Sequence, residues 1–279
     1  MPALAIFGIT GRMGQSLLQA LRESHETPGL RLSGAVASST SARLGQDARA
    51  ADGGPAHAAA AGGGEPTGVL ITADLSAGIR GAAVAVDFSA ADCVAAHAKA
   101  CAAAGIPILI GVTGIDAAGR GVLAAAAKDI PVLIAPNTSV GVSVVGKLVS
   151  LAAAALGPSF DVEIFEAHHR MKRDAPSGTA LALGEAVAQA RAVALEEVAS
   201  YARGGASEPR RPGSIGFSSM RAGDIAGEHT VIFAGDGERV EITHRATDRI
   251  TFARGALRAA EWLIGRPAGL YGMQDVLGI

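Results

Sequence analysis

The sequence predicts an α/β protein of two domains: a Rossmann-type domain built on a parallel sheet, and a second α+β domain with a mixed, largely antiparallel sheet. Three observations carry this. Short aliphatic runs alternate with helical patterns through the first half of the chain, an order that makes neighbouring strands parallel. A glycine-rich turn follows the first strand directly. Beyond Ile215 the helical spacing gives way to alternating runs, two of them joined at Asp236-Gly237, a strong hairpin signal. The composition agrees, since 279 residues suffice for two modest domains, and 49% of them are apolar while only 4% are aromatic. A core of Ala, Val, Ile and Leu suits strands covered on both faces.

In chain order, Leu4 to Phe7 is a short aliphatic strand, and Gly8-Ile9-Thr10-Gly11-Arg12-Met13-Gly14 is the turn after it. Ser16 to Arg22 has helical spacing, and Leu30 to Ala37 reads as a second strand. Strand, glycine turn, helix and strand in that order open a dinucleotide-binding fold. Residues 50–66, rich in Ala and Gly, read as a surface connection without packing instructions. Val84 to Phe88, Ile106 to Ile110 and Val132 to Ala135 follow as strands, separated by helices at Ala90 to Ala104 and Ala117 to Lys128. Val140 to Leu156 is a long helical pattern, Asp161 to Ala167 a strand and Ala180 to Arg191 a helix. Gly216 to Arg221, His229 to Ala234 and Arg239 to Arg245 are the β signals of the second half. A last helix, Thr251 to Ile264, returns to the first domain. The expected domains are therefore residues 1–138 with 249–279, binding the dinucleotide, and 139–248, binding substrate and forming oligomers.

Net charge is −2, from 24 basic and 26 acidic residues, so no global field favours nucleic acid or an anionic membrane. Mean hydropathy is positive, at +0.32. Yet the longest apolar stretch, Cys101 to Val112, has 12 residues and contains Pro107, whereas a spanning helix needs about 20. The first residues, MPALAIFGITGRMG, carry neither a charged leader nor a cleavage site. A soluble, cytoplasmic protein is expected, with no nucleic-acid or membrane partner. Cys93, His97 and Cys101 would share a helix face, which invites a metal reading. Their spacing of eight residues puts the two cysteine Cα atoms about 12 Å apart on a helix, too far for a disulfide or for two thiolates on one zinc. No metal is expected; the three read as a helix face packed on the sheet.

The chemistry lies in two stretches. Gly8 to Gly14 has the form G-x-x-G-x-x-G: glycines let the backbone approach a pyrophosphate, and the helix N-terminus beyond presents unpaired N–H groups. No Gly-Lys-Ser/Thr closes the run, so it is not a P-loop. The second stretch is Glu166-Ala167-His168-His169-Arg170-Met171-Lys172-Arg173-Asp174-Ala175-Pro176-Ser177-Gly178-Thr179. Ser177 is a natural N-cap, and the N–H groups near Gly178 and Thr179 suit a carboxylate. His168, His169 and Lys172 place donors and transferable protons beside that anion site. The HHxxK spacing is not that of a zinc site.

The second stretch resembles the dihydrodipicolinate reductase family. The resemblance spans nearly the whole chain, through GxxGRMG at Gly8 to Gly14, Asp87-Phe88-Ser89, Gly111-Val112-Thr113-Gly114, Ala135-Pro136-Asn137-Thr138-Ser139-Val140-Gly141, Arg221 to Thr230, and Glu241 to His244. It implies that Gly8, Ile9, Thr10, Gly11, Arg12 and Met13 hold the pyrophosphate of a nicotinamide cofactor. Gly111, Val112 and Thr113, with Ala135, Pro136, Asn137 and Thr138, would line its nicotinamide side. His168 and Lys172 would be the catalytic acid/base groups, and His169, Ser177, Gly178 and Thr179 would bind a cyclic imine dicarboxylate. The reaction implied is reduction of 4-hydroxy-tetrahydrodipicolinate to tetrahydrodipicolinate, in diaminopimelate and lysine synthesis, by a homotetramer joined through the second domain's sheet. The elementary chemistry agrees. Hydride addition to a conjugated imine pushes electrons toward nitrogen, and a lysine ammonium beside a histidine can stabilise that charge and deliver a proton.

Two departures from the family pattern stand out. An acidic residue is common at the end of the second strand, where this chain has Ala37-Ser38-Ser39-Thr40-Ser41 and no carboxylate until Asp47. Hydroxyls at Ser38 and its neighbours, with Arg43 and Arg12 nearby, favour a 2′-phosphate, so NADPH is expected to serve at least as well as NADH. Thr138 stands where phenylalanine is common, with a small packing effect expected. Two other readings are weighed. A semialdehyde dehydrogenase would need a cysteine nucleophile at a loop or helix tip, whereas Cys93 and Cys101 sit in a helical alanine pattern. A non-catalytic nicotinamide sensor would have no need of His168 and Lys172 together.

Overall fold

The computed structural model describes residues 1–23, 29–49, 66–203 and 209–279, so the expected surface connection at 50–66 lies outside the described residues but for its last position. In chain order the elements are β1 (Ala3–Phe7), α1 (Arg12–Arg22), β2 (Arg31–Val36), β3 (Ile71–Thr72), α2 (Leu75–Ile79), β4 (Val84–Asp87), α3 (Val94–Ala104), β5 (Ile108–Ile110), α4 (Ala117–Ala126), β6 (Pro131–Ile134) and α5 (Val140–Leu156). Then come β7 (Asp161–His168), α6 (Gly178–Ala190), α7 (Leu195–Val198), β8 (Ala199–Ser200), β9 (Ile215–Arg221), β10 (Gly227–Gly235), β11 (Glu238–Ala246), α8 (Ile250–Leu263), β12 (Gly269–Tyr271) and α9 (Met273–Leu277). They form two compact units, Met1–Val140 with Ile250–Gly278, and Gly141–Arg249.

The first unit holds a seven-stranded sheet in the order β12-β6-β5-β4-β1-β2-β3, with every pairing parallel. All five residues of β1 are buried. Alternate side chains serve opposite faces, Leu4 and Ile6 packing with the α1 and α8 side, Ala5 and Phe7 with the α3 and α4 side. From β1 the chain runs one way to β2 and β3, and from β4 the other way to β5 and β6. The C-terminal ends of β1 and β4 are therefore neighbours, Phe7 pairing with Asp87. Open parallel sheets bind ligands at such a reversal of strand order.

Helix α1 starts at Arg12, earlier than its spacing predicts, and takes Gly14 into its first turn. A Cβ there would lie 2.4 Å from the carbonyl oxygen of Gly8, so glycine is what lets the helix begin against the turn. Helix α3 starts later than expected, with Cys93 as its N-cap. The elements not foreseen, β3, α2, α7, β8, β12 and α9, have two to five residues each. That is too short for a hydrophobic period to show.

The second unit holds a five-stranded mixed sheet in the order β11-β10-β7-β9-β8. The two ladders made by β10 are antiparallel, the first through the Asp236-Gly237 hairpin, whereas β7–β9 and β8–β9 are parallel. Val145, Val149 and Ala153 of α5, with residues of α6, pack on one face against Val162, Ile164 and Phe233. The 20-residue stretch Val140–Ser159 corrects the expectation that no segment is long and apolar enough, by length and composition, to cross a membrane: an 18-residue window within it has a mean hydropathy of 1.8. Reading only uninterrupted apolar runs missed it, because Ser143 and the exposed Lys147 divide it.

Candidate active site

The glycine turn of the first unit is built for close approach. Gly8 has φ +78°, and a Cβ on it would sit 2.8 Å from the Phe88 carbonyl oxygen. The amides of Gly8 and Ile9 both donate to the carbonyl of Val36, which ties the turn to β2. Gly11 caps α1 without a side-chain bond, so the cap residue itself does not cover this helix start as Ser or Asp would. Beside it lies a cavity of about 480 Å³ that brings together Arg12, Met13 and Gly111 to Thr113, and is lined also by Phe88 to Ala91. A Cβ on Gly111 would strike the Phe88 ring at 2.1 Å, so that lining too requires glycine. The cradle fits the phosphates and nicotinamide end of a dinucleotide.

Phe88 and Ser89 are held from below. Asp87 is fully buried; its carboxylate accepts from the Ser89 amide at 2.8 Å and pairs with His97 Nδ1 at 2.8 Å. The ring of His97 stacks on Phe7 at 4.2 Å. His97 thus belongs to a packed helix face, as read from the sequence. Cys93 does not lie within the helix as expected but at its tip, the place a nucleophile would occupy. Burial and the neighbouring Asp92 carboxylate push its thiol up, the opposite of what a nucleophilic thiolate needs. Burial pushes Cys101 up to about 12.

Not every expected cofactor residue has surface to offer. Ile9, Ala135 and Thr138 are 2% exposed or less. Ile9 fills the core, and the Thr138 hydroxyl donates to the Phe252 carbonyl at 2.7 Å, bracing α8. The side chains of all three pack inside the fold. Gly8, Thr10, Gly11, Pro136 and Asn137 keep surface, and the Asn137 side chain accepts from the Ser139 amide. Past β2, Ala37 is buried and Ser38 is the first exposed residue, its hydroxyl 2.9 Å from that of Thr40. Arg43 donates to the carbonyls of Asp47 and Arg49, which anchors its guanidinium close to this turn.

The second unit brings together residues far apart in sequence. Glu166 and His168 lie two apart on β7 and share its inward face. Glu166 Oε2 is 2.5 Å from His168 Nδ1, and Oε1 accepts from the Ser177 amide at 3.2 Å. Arg221 of β9 donates to both carboxylate oxygens, at 2.8 and 2.7 Å, and also to the Asp174 carbonyl at 2.6 Å. Burial alone would raise the Glu166 pKa, but the bonds from Arg221, Ser219 and His168 outweigh it and hold it at about 2. Burial lowers His168, against the opposing pull of Glu166. His229 of β10 meets His168 edge to face at 5.2 Å, and burial lowers its pKa to about 4.

Lys172 extends from the loop after β7, its ammonium 2.8 Å from Asp174 Oδ2. His169 is half-buried, and its carbonyl accepts from the Lys172 amide. Ser177 caps α6 as expected, accepting from the Ala180 amide, but its hydroxyl is buried and also bonded to His229 Nε2 at 3.0 Å. What the helix start offers a ligand is therefore backbone rather than the serine hydroxyl. Gly178 is exposed, with nothing within 4 Å of where a Cβ would point. Glu166, Asp174, Arg221 and His229 were given no role from sequence. Arg221 is 55 residues from Glu166, a separation that no local spacing rule joins.

Residues 3–138 match the family profile described as dihydrodipicolinate reductase, N-terminus, and residues 141–277 match dihydrodipicolinate reductase, C-terminus. The chain is 49% identical over 276 residues to the 4-hydroxy-tetrahydrodipicolinate reductase of Thiobacillus denitrificans, covering 99% of this chain and 98% of that one. It is 48% identical over 279 residues to the protein of the same name from Anaeromyxobacter dehalogenans, covering 100% and 98%. Among solved structures, a dipicolinate-bound dihydrodipicolinate reductase from Paenisporosarcina sp. TG-14 superposes with a TM-score of 0.73 over 99% of both chains, at 23% identity. At that identity the likeness speaks for the fold.

Proposed function

The chain belongs to the dihydrodipicolinate reductase family, and we propose that His168 and Lys172 carry the chemistry of its reaction, with Gly178 and Thr179 holding a substrate carboxylate. The reaction is the nicotinamide-dependent reduction of 4-hydroxy-tetrahydrodipicolinate to tetrahydrodipicolinate, a step of diaminopimelate and lysine synthesis. The observation that carries the assignment of residues is the Glu166–His168 pair, buried beside Lys172 and the open start of α6. When bound, the nicotinamide supplies a hydride. The chain's own residues then manage charge: the Lys172 ammonium offsets negative charge building toward the imine nitrogen, and His168 or Lys172 delivers the proton. The N–H groups at the start of the 13-residue α6 favour a carboxylate by charge and direction.

For the cofactor, Gly8, Thr10, Gly11, Arg12 and Met13 would hold the pyrophosphate at the uncapped start of α1, and Gly111 to Thr113 the nicotinamide end. NADPH is the proposed partner, with NADH as an alternative; the exposed hydroxyls of Ser38 and Thr40 and the absence of a carboxylate at the end of β2 support it. A homotetramer is supported by the outer face of the second sheet, where Phe165 and Met220 are 37% and 43% exposed. A cytoplasmic location accords with a biosynthetic role. In α5, the exposed Lys147 and the packing of Val145, Val149 and Ala153 in the second core argue for a helix of a soluble fold.

The test is a coupled assay with freshly generated 4-hydroxy-tetrahydrodipicolinate, following cofactor absorbance. Turnover that disappears in His168→Gln and Lys172→Ala, with cofactor binding retained, is expected. Wild-type rates in both variants would remove these residues from the mechanism.

A further inference from the structure

We propose that Glu166, clamped by Arg221, is a positioning residue that fixes the tautomer and orientation of His168, so that Nε2 is the nitrogen that exchanges a proton. The inference rests on the reading of His168 as a catalytic group. Its basis is the saturation of one buried carboxylate. An ionised carboxylate has about four lone-pair sites and no proton to give. Here five bonds reach it: two from Arg221, one each from the Ser219 hydroxyl and the Ser177 amide, and one shared with His168 Nδ1. Since the carboxylate stays ionised far below neutral pH, it accepts only, and Nδ1 must carry hydrogen in both charge states of the ring. Neutral His168 then has its lone pair on Nε2. Charged His168 has its dissociable proton there.

The space around Nε2 accords with this. A Cβ on Gly227 would lie 3.1 Å from it, so the missing side chain leaves room on that side of the ring. The groups facing His168 are Glu166 from its own strand, Arg221 from β9, His229 from β10 and Lys172 from the following loop. Glu166 is the one anion among them. Its charge opposes burial and the cations, limiting the downward shift that they impose on His168. The same carboxylate binds the Ser177 amide, so one group sets both the proton donor and the helix start that faces the substrate.

The test is nitrogen NMR of the full chain labelled with ¹⁵N-histidine, the His168 signals being identified by their loss in His168→Gln. Wild type should show His168 as the Nδ1–H tautomer at neutral pH. In Glu166→Gln the Nε2–H form should gain, and the titration should move down by roughly one unit or more. That variant should also lose at least roughly tenfold in kcat with cofactor KM nearly unchanged. An unchanged tautomer and titration in Glu166→Gln would reduce Glu166 to a strand tie and overturn the proposal. Should that variant not fold, wild type still decides: His168 found as Nε2–H sinks the idea. Full kcat in His168→Gln would instead defeat the catalytic reading while leaving the tautomer result standing.

Discussion

At the residue scale, Lys172 and Gly178 separate chemistry from binding. The Lys172 ammonium is paired with Asp174, whose side chain is 59% exposed, so the pair contributes little to stability. Lys172→Ala should therefore leave the fold intact while kcat falls by roughly 10²- to 10⁴-fold. Steady-state kinetics alongside a thermal melt check both halves; a collapsed melt or a preserved kcat would contradict the expectation. Gly178 projects into open space, so Gly178→Val should strain nothing in the protein and take volume from a ligand instead. Substrate KM should rise strongly, and pyridine-2,6-dicarboxylate, a planar dianion, should cease to compete. Equal inhibition of wild type by pyridine without carboxylates would place the anion site elsewhere. Lys172, Gly178 and the Ser177 cap were legible in the sequence because capping and local charge are short-range. Glu166 and Arg221 were not, because their bond joins two strands.

At the element scale, the end of β2 governs cofactor choice. Ala37 is buried in the core, so a carboxylate there would disturb packing as well as binding. Ser38 is exposed, which makes Ser38→Asp the cleaner change. An aspartate at that place would repel a 2′-phosphate and accept from ribose hydroxyls, lowering kcat/KM for NADPH more than for NADH. Both cofactors should be compared in phosphate-free buffer. A wild-type preference for NADH of tenfold or more, about 1.4 kcal/mol, would defeat the NADPH assignment. The long elements were readable from periodicity. The start of α1 was not, because Gly14 reads as turn until the carbonyl of Gly8 is seen to lie where its side chain would be.

At the scale of the whole molecule, acid should act first through the histidines of the second unit. Burial lowers His229 to about 4, and it lowers His168 and His244 as well. In the unfolded chain these groups take up protons near 6.5, the ordinary value. Protons thus bind the unfolded state first, and stability present above that pH is lost as pH falls toward about 4. Glu166, held at about 2 against an ordinary 4.5, adds loss of the same sign only below that higher value. Calorimetry should show a Tm that declines between about pH 6.5 and pH 4, with a shallower slope in His229→Gln. A flat Tm across that range would mean that the histidines are protonated without cost.

The parallel sheet, the second mixed sheet, the glycine turn and the loop of His168 and Lys172 can all be read from sequence alone. Each is written in neighbours: a period of two or of 3.6 residues, a glycine where the backbone turns, a cap before a helix. Which of these residues face outward, and which group the His168 Nδ1 meets, follows from tertiary packing. It turned Thr138 into a brace for α8, took the Ser177 hydroxyl for His229, and set Arg221 against Glu166. Those outcomes depend on strand register and burial. Register pairs residues tens of positions apart, and the donors it brings to Glu166 outweigh burial and keep that carboxylate a fixed, proton-free acceptor.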